Sequence, residues 1–403
     1  MAQAGDCWLA LNGRGAKNGR APEHAYGVLD ELPNRAAKKC WEQTSPDGTM
    51  HVMEGRYTLE TGAFFQLRIT EKDDGAEGSH KKLKGEGKVE LIGNRPIPYS
   101  PSTKDQGVFW IELKKKARNI HIENFHIARV GPGILGEGSN DNLIFRNLRF
   151  EDTRQNIHLT GHPLCPSINN CPRDKTSKNI LLEKIYGIRY SKRHIRLSQG
   201  ISDTKVVDSH ADSQFLDGDF AVGFDVENPG WNIEFRDSSS RGNLYSESEY
   251  WNGDGFKAED QTQNIRWIGC SAFDNADAGF DIKTENAFLQ DTVAQHNSRN
   301  IRIWKNAVLK NINASFSKTH GGMASQAGIW SVGPYECHHC TLQNNQIQVH
   351  GENPGRGFEI KFFDSMISLD RTREGEVEIK RLEEAIKIDW VRTEVWRDGV
   401  KAR

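Results

Sequence analysis

Ten segments of this chain repeat one short phrase: a Gly or Asn (once a His), a large apolar residue, an outward-type residue and a second apolar. They start at Gly107, Gly133, Asn156, His194, Gly223, Gly255, Gly279, Asn300, Gly328 and Gly357, so the phrase returns after 21 to 38 residues. Self-similarity at that period marks a solenoid or a propeller. Between these anchors runs a second text, as in Asn119-Ile120-His121-Ile122, Asn142-Leu143-Ile144-Phe145, Asn179-Ile180-Leu181-Leu182, Asn232-Ile233-Glu234-Phe235 and Asn264-Ile265-Arg266-Trp267. Each interval therefore holds about three short alternating strands, separated by turns at residues that tolerate positive φ. A propeller blade needs hairpin signals, and these are sparse. The pattern predicts an all-β chain folded as a right-handed parallel β-helix of about ten or more coils.

The ends of a solenoid need covering, because its terminal edges are open. A capping helix is expected around Asn34 to Gln43, first coils in the Thr49–Val52, Gly55–Tyr57 and Leu83–Gly93 text, and a C-terminal cap or appendage with a helical stretch near Glu376 to Ile386. The expected organisation is an N-terminal extension over 1–33, a β-helix domain over 34–365 and a cap or tail over 366–403. Longer insertions at 160–178 and 238–253 precede the His194 and Gly255 anchors. Insertions of this kind collect on one face, often the binding face.

With 403 residues the chain exceeds the size at which one compact core divides, a limit a solenoid escapes by growing along its axis. The net charge of −2 argues against nucleic acid as partner, and no apolar run reaches membrane-span length. A monomer is expected. Of seven cysteines, Cys165 and Cys171 close a Pro/Asn-rich loop, Cys7 with Cys40 can pin the N-terminal segment, and Cys270 lies in core text. Cys337-His338-His339-Cys340 has metal-like spacing but no second Cys/His pair, so a local disulfide or two turn thiols is the better reading. The opening Ala2-Gln3-Ala4 is similar to a signal-peptidase site, so a secreted or periplasmic protein whose signal peptide is absent is expected.

Side chains alternate along a strand, so the residue after each inward apolar points outward. In register these residues form a column: His158, Arg196, Asp225, Lys257, Asp281, Arg302, Trp330 and Glu359. Two positions on, a second column holds Thr160, Ser198, Glu227, Glu259, Lys283, Trp304 and Lys361. A ladder of alternating charge can simply stabilise a solvated face. It can also be a groove for an acidic sugar chain, with Arg196, Arg302, Asp281 and His158 as contacts and Trp304 and Trp330 as stacking platforms.

The stretch Trp251-Asn252-Gly253-Asp254-Gly255-Phe256-Lys257, then Ala272-Phe273-Asp274-Asn275 and Ala278-Gly279-Phe280-Asp281, resembles the family 9 polysaccharide lyases, pectate-lyase-type parallel β-helices. The resemblance is motif-specific over about 220–305. It implies β-elimination of a uronate-containing polysaccharide with Lys257 as Brønsted base. Such chemistry removes the proton beside the uronate carboxyl and expels the 4-linked oxygen. Asp225 and Asp281 beside the lysine work against its neutral form unless they hold a metal. The family holds calcium in an aspartate cluster, of which only Asp225 matches; Ala221 and Val222 stand where the paired aspartates belong. Asp217, Asp219 and Asp254 could rebuild a calcium site with Asp225, or Arg196 and Arg302 could neutralise the substrate carboxylate directly. The alternatives are a glycoside hydrolase using Asp225, Asp254, Asp277 or Asp281, and a non-catalytic glycan-binding β-helix.

Overall fold

The computed structural model describes residues 5–97, 107–161, 165, 171–172, 176–352, 357–370, 378–381 and 386–402. Most of the 160–178 insertion lies outside them. The chain divides into two compact units, Met1–Ser209 and His210–Arg403. Each is a run of parallel coils, and the fold is the right-handed parallel β-helix expected from the repeat.

In the first unit one sheet stacks Leu67–Ile69, Ile111–Leu113, Pro132–Glu137, Gln155–Thr160 and Arg193–Ser198, all parallel. The facing strands Arg118–Ala128, Asp141–Glu151 and Lys178–Ile188 each join two of the expected three strands into one bent element. The bends fall at Asn124, Asn147 and Lys184, which carry φ of 65°, 49° and 57°. The phrase at Gly107 is displaced: Ile111, not Val108, takes the inward register opposite Ile134.

A helix, Pro33–Gln43, covers the first coil, close to the expected bounds. Pro33 opens it without losing a hydrogen bond, since the first helical N–H has no partner in any helix. Its buried face is Ala36, Ala37, Cys40 and Trp41. Cys40 is bonded to Cys7 on strand Cys7–Ala10, which pairs in parallel with Thr49–Thr58. The stretch read as an extension thus supplies a strand to the first coil.

In the second unit the strands Val222–Val226, Phe256–Ala258, Ala278–Ile282, Arg299–Ile303, Ala327–Ser331, Ile347–Gly351 and Glu378–Arg381 form one parallel sheet. Inward positions stack: Phe224 on Phe256 at 4.7 Å between ring centroids, Phe256 on Phe280 at 4.8 Å. Burial of each phenyl contributes about 1.5–3 kcal/mol, with more from the ring pairs. Two corrections follow. The helix expected near Glu376–Ile386 is a strand over Glu378–Arg381, because it adds to the open edge of Ile347–Gly351. The tail also continues the repeat, since Lys387–Val391 pairs with Glu359–Phe363 and Glu394–Arg397 with Met366–Ser368.

The anchor of the repeat has a structural cause. A ladder of fully buried asparagines runs inside the second unit: Asn243 Nδ2 donates to Asn275 Oδ1 at 2.7 Å, Asn275 Nδ2 to Asn297 Oδ1 at 2.8 Å, and Asn300 Nδ2 to Asn345 Oδ1 at 3.1 Å. A Cβ at Gly255 would lie 2.9 Å from Asn275 Nδ2, and one at Gly279 2.7 Å from Asn297 Nδ2. Glycine therefore makes room for the ladder, and Asn300 is a rung of it. A second asparagine series lines the corners at positive φ and joins coil to coil, as where Asn264 donates to Asn232 at 3.2 Å.

Candidate functional site

The expected column is present over five coils of the second unit. Asp225 pairs with Lys257, Lys257 with Asp281, Asp281 with Arg302, and Arg302 with Trp330. The next member is His350, not Glu359. The phrase at Gly357 belongs to the other sheet, where Ile360 pairs with Tyr335 and Lys361 with Glu336. The true coil strand carries Gln348 at the anchor, which takes a hydrogen bond from Asn345 and so replaces the expected Gly or Asn.

Alternating sign along the column becomes separation by depth, because its acids have short side chains and its cations long ones. Asp225, Asp254, Asp277 and Asp281 are 0–3% exposed. Lys257, Arg302 and Lys283 keep 11%, 15% and 22% of their side-chain surface. The accessible face is thus three cations with Glu259 and Glu227, and a floor of carboxylates beneath.

Lys257 Nζ lies 2.6 Å from Glu259 Oε1 and 3.8 Å from Asp225 Oδ1. Glu259 bridges onward to Lys283 at 3.0–3.1 Å. Lys283 also meets Asp281 Oδ2 at 3.2 Å, and Trp304 Nε1 donates to Asp281 Oδ1 at 2.7 Å. Burial opposes the charge on Lys283, but Asp281 and Glu259 outweigh it and hold the ammonium above its ordinary range. Arg302 is treated alike: burial opposes its charge, and Asp281 and Asp277 secure it. Both are fixed cations.

Asp277 accepts from Tyr250 Oη at 2.8 and 2.9 Å, from Arg302 at 3.2 Å and from Arg299 at 3.3 Å; Arg299 also donates to Tyr250. Burial pushes Asp277 above the usual carboxylate range, and Arg302 and Arg299 work against that rise. Asp254 differs. Its Oδ1 accepts the Ala278 N–H at 3.1 Å, and burial together with Asp281 and Asp277 pushes it well above the usual carboxylate range.

Tyr250 arrives from the 238–253 insertion, where Tyr245 and Asn252 pair through two backbone hydrogen bonds of 2.7 and 2.9 Å. Phe220 packs on Tyr245 at 4.9 Å, and Met323 N donates to Glu249 O at 3.1 Å. Three loops therefore wall one side of the column.

The other expected residues stand as follows. Trp330 is buried, with Arg302 5.0 Å and Arg299 5.4 Å from its ring, so it packs against the guanidinium groups instead of presenting an open face. Trp304 is half-buried, with Arg302 4.4 Å from its ring. His158 and Arg196 pair with each other in register in the first unit, where His158 Nε2 bonds Ser198 and Thr160. The proposed calcium ligands do not form a cage. Both Asp217 oxygens are committed to Ser246 and the Gly218 N–H, and burial pushes the Asp254 carboxyl well above its usual range. Among the described residues no group of three or more His, Cys, Asp or Glu is gathered to hold a metal ion. Sequence reading passed over Glu259 and Lys283, although both stood in its second column. Arg299 and Tyr250 carried no periodic signal, since Arg299 opens its strand ahead of the anchor phrase and Tyr250 lies on a loop.

Comparisons with known proteins bear on the fold. No family model matches the chain, and no curated protein matches it in sequence. Solved structures do. One is a GH136 lacto-N-biosidase from Eubacterium ramulus, 10% identical, with TM-score 0.56 over 97% of this chain and 67% of that one. The periplasmic alginate epimerase AlgG is 10% identical, with TM-score 0.50 over 87% and 77%. The pectate lyase Pel9A is 12% identical, with TM-score 0.39 over 99% and 79%. The first two support the shared fold; membership of lyase family 9 does not follow from any of the three.

Proposed function

We propose that this chain is a carbohydrate-active enzyme of an oxidising, extracytoplasmic compartment that cleaves a uronate-containing polysaccharide by β-elimination. The observation that carries this is the depth separation of the column: buried aspartates below, and a cationic face above that suits an acidic polymer. Lys283 and Arg302, fixed as cations, are placed to neutralise the substrate carboxylate and the enolate-like charge that develops on it. Lys257, the remaining accessible nitrogen, takes the proton in its neutral amine form. The names of the structural neighbours are those of carbohydrate enzymes, which supports the broader class. Disulfides Cys7–Cys40, Cys165–Cys171 and Cys337–Cys340 fit the compartment.

The test is incubation with a panel of polyuronates, reading the ultraviolet absorbance of the unsaturated product. Lys257→Ala is expected to lower the rate by about 10²–10⁴-fold at unchanged far-ultraviolet circular dichroism. Appreciable residual activity overturns the assignment of the base. One observation favours a hydrolase instead: Asp254, which burial pushes well above the usual carboxylate range, has the raised carboxyl that a general acid needs. We rank it second because Asp254 is buried and engaged with the Ala278 N–H. New reducing ends without the absorbance would select it, and neither signal would select a glycan binder.

A further inference from the structure

Resting on the lyase reading, we infer that Lys257 and Glu259 work as a base–acid pair on one side of the sugar ring. The substrate is then a uronate whose C5–H and C4–O bonds lie on the same ring face, as in gluco- and manno-configured polymers. Lys257 lies in the strand Phe256–Ala258 and Glu259 directly follows it, two residues on, and the two side chains meet on the same side. Their Nζ and Oε1 atoms are 2.6 Å apart, and both are part-exposed, whereas the aspartates around them are buried.

In the resting pair the lysine is an ammonium and the glutamate a carboxylate. When the saccharide covers them and water leaves, two neutral groups cost less to bury than two ions. The proton then passes from Nζ to Oε1. The amine so formed removes the C5 proton, the C5–H electron pair moves into the carboxyl-stabilised enolate, and the enolate's collapse forms the C4–C5 double bond as C4–O breaks. Glu259 returns its proton to the departing oxygen. The pair ends as ammonium and carboxylate again, and no other reactant is consumed. Lys283, bonded to Glu259 at 3.0–3.1 Å, keeps that carboxylate aimed at the same spot.

The geometry selects the stereochemistry. One pair of adjacent groups reaches one face of a bound ring. In gluco- and manno-uronates the C5 hydrogen and O4 share that face. In galacturonates they lie on opposite faces, and the acid would have to come from the other side.

The experiment follows initial rates on a β-1,4-glucuronan, a polymannuronate and polygalacturonate, for the native chain, Glu259→Gln and Glu259→Asp. Expected is cleavage of one of the first two polymers and none of polygalacturonate. Glu259→Gln should lower kcat by about 10²–10⁴-fold with little change in KM, and Glu259→Asp should recover part of it. Because Glu259→Gln also leaves Lys257 protonated, its rate on a uronide whose C4 substituent leaves as a nitrophenolate, which needs no proton, should stay low near neutral pH and recover as rising pH frees the amine, which a merely structural glutamate would not produce. Preferred cleavage of polygalacturonate, or full activity of Glu259→Gln, overturns this inference while the lyase reading stands. Absence of unsaturated product from every polymer overturns the lyase reading, and the inference with it.

Discussion

Replacing Asn275 with alanine tests whether the buried asparagine ladder, and not the charged column, holds the site coils in register. Asn275 is fully buried and makes four hydrogen bonds through its amide. Its Oδ1 accepts from the Asn243 N–H at 3.3 Å and from Asn243 Nδ2 at 2.7 Å. Its Nδ2 donates to Ser240 O at 3.3 Å and to Asn297 Oδ1 at 2.8 Å. Two of these partners keep another bond, Asn243 Nδ2 to Ser240 Oγ at 2.9 Å and Asn297 Oδ1 from the Asn275 N–H at 3.0 Å. The main-chain N–H of Asn243 and carbonyl of Ser240 lose this partner inside the protein. At about 0.5–1.5 kcal/mol net for each of the four bonds lost, the substitution should cost about 2–6 kcal/mol. The void also opens against Gly255, two residues before Lys257. Urea unfolding followed by circular dichroism reads the loss. Asn306→Ala serves as control, since it removes an exposed rung, bonded to Asn286 at 3.1 Å, and should cost at most about 0.5 kcal/mol. Equal midpoints for the two variants would refute the argument that the ladder is what the anchor glycines accommodate.

Other outcomes are as definite. Folding raises the Asp254 carboxyl above its unfolded value near 3.9, so between the two values the native state binds the extra proton and stability falls as pH rises. Asp254→Asn removes that loss; it should exceed the native chain in urea midpoint at pH 7, the gap closing below about pH 4, and a gap that persists in acid would contradict the cause given. Cys7–Cys40 spans 33 residues and Cys337–Cys340 only 3, so by loop entropy the first should contribute about 4 kcal/mol and the second about 2. Melting of the two double-alanine variants, each with the other bridge intact, measures the order, and a larger loss from the short loop would reverse it. Because the four aspartates named as calcium ligands do not converge, chelation should leave the rate unchanged; activity lost to a chelator and restored by calcium would show that the site rearranges around the ion.

The β-helix and the column were legible because strand alternation has a fixed period of two, so the outward residue after each inward apolar could be placed without a structure. Asp225, Lys257, Asp281, Arg302 and Trp330 are in the expected register for that reason. The reading failed where a local phrase satisfied the pattern on the wrong sheet, at Glu359, and where a rung of the ladder replaced the anchor, at Gln348. Periodicity assigns a side, not a depth. Trp330 could be read as edge packing or as an open platform; two guanidinium groups lie over it, and nothing in its spacing distinguishes the two states.

Depth follows instead from side-chain length, which the sequence does contain. Neighbouring coils sit about 4.8 Å apart, so a column of like charges would repel itself and opposite signs must alternate. Once they alternate, a carboxylate on one methylene cannot reach past an ammonium on four. The aspartates sink and the lysines and arginines stand above them. Glu259 is the exception that makes the site chemically interesting. Being one methylene longer than the aspartates, it rises to the level of Lys257 and meets it at 2.6 Å where substrate would lie. Shortening it to aspartate should therefore draw the carboxylate away from Lys257 and give the partial recovery expected of that variant, whereas a role set by charge alone would leave Glu259→Asp fully active.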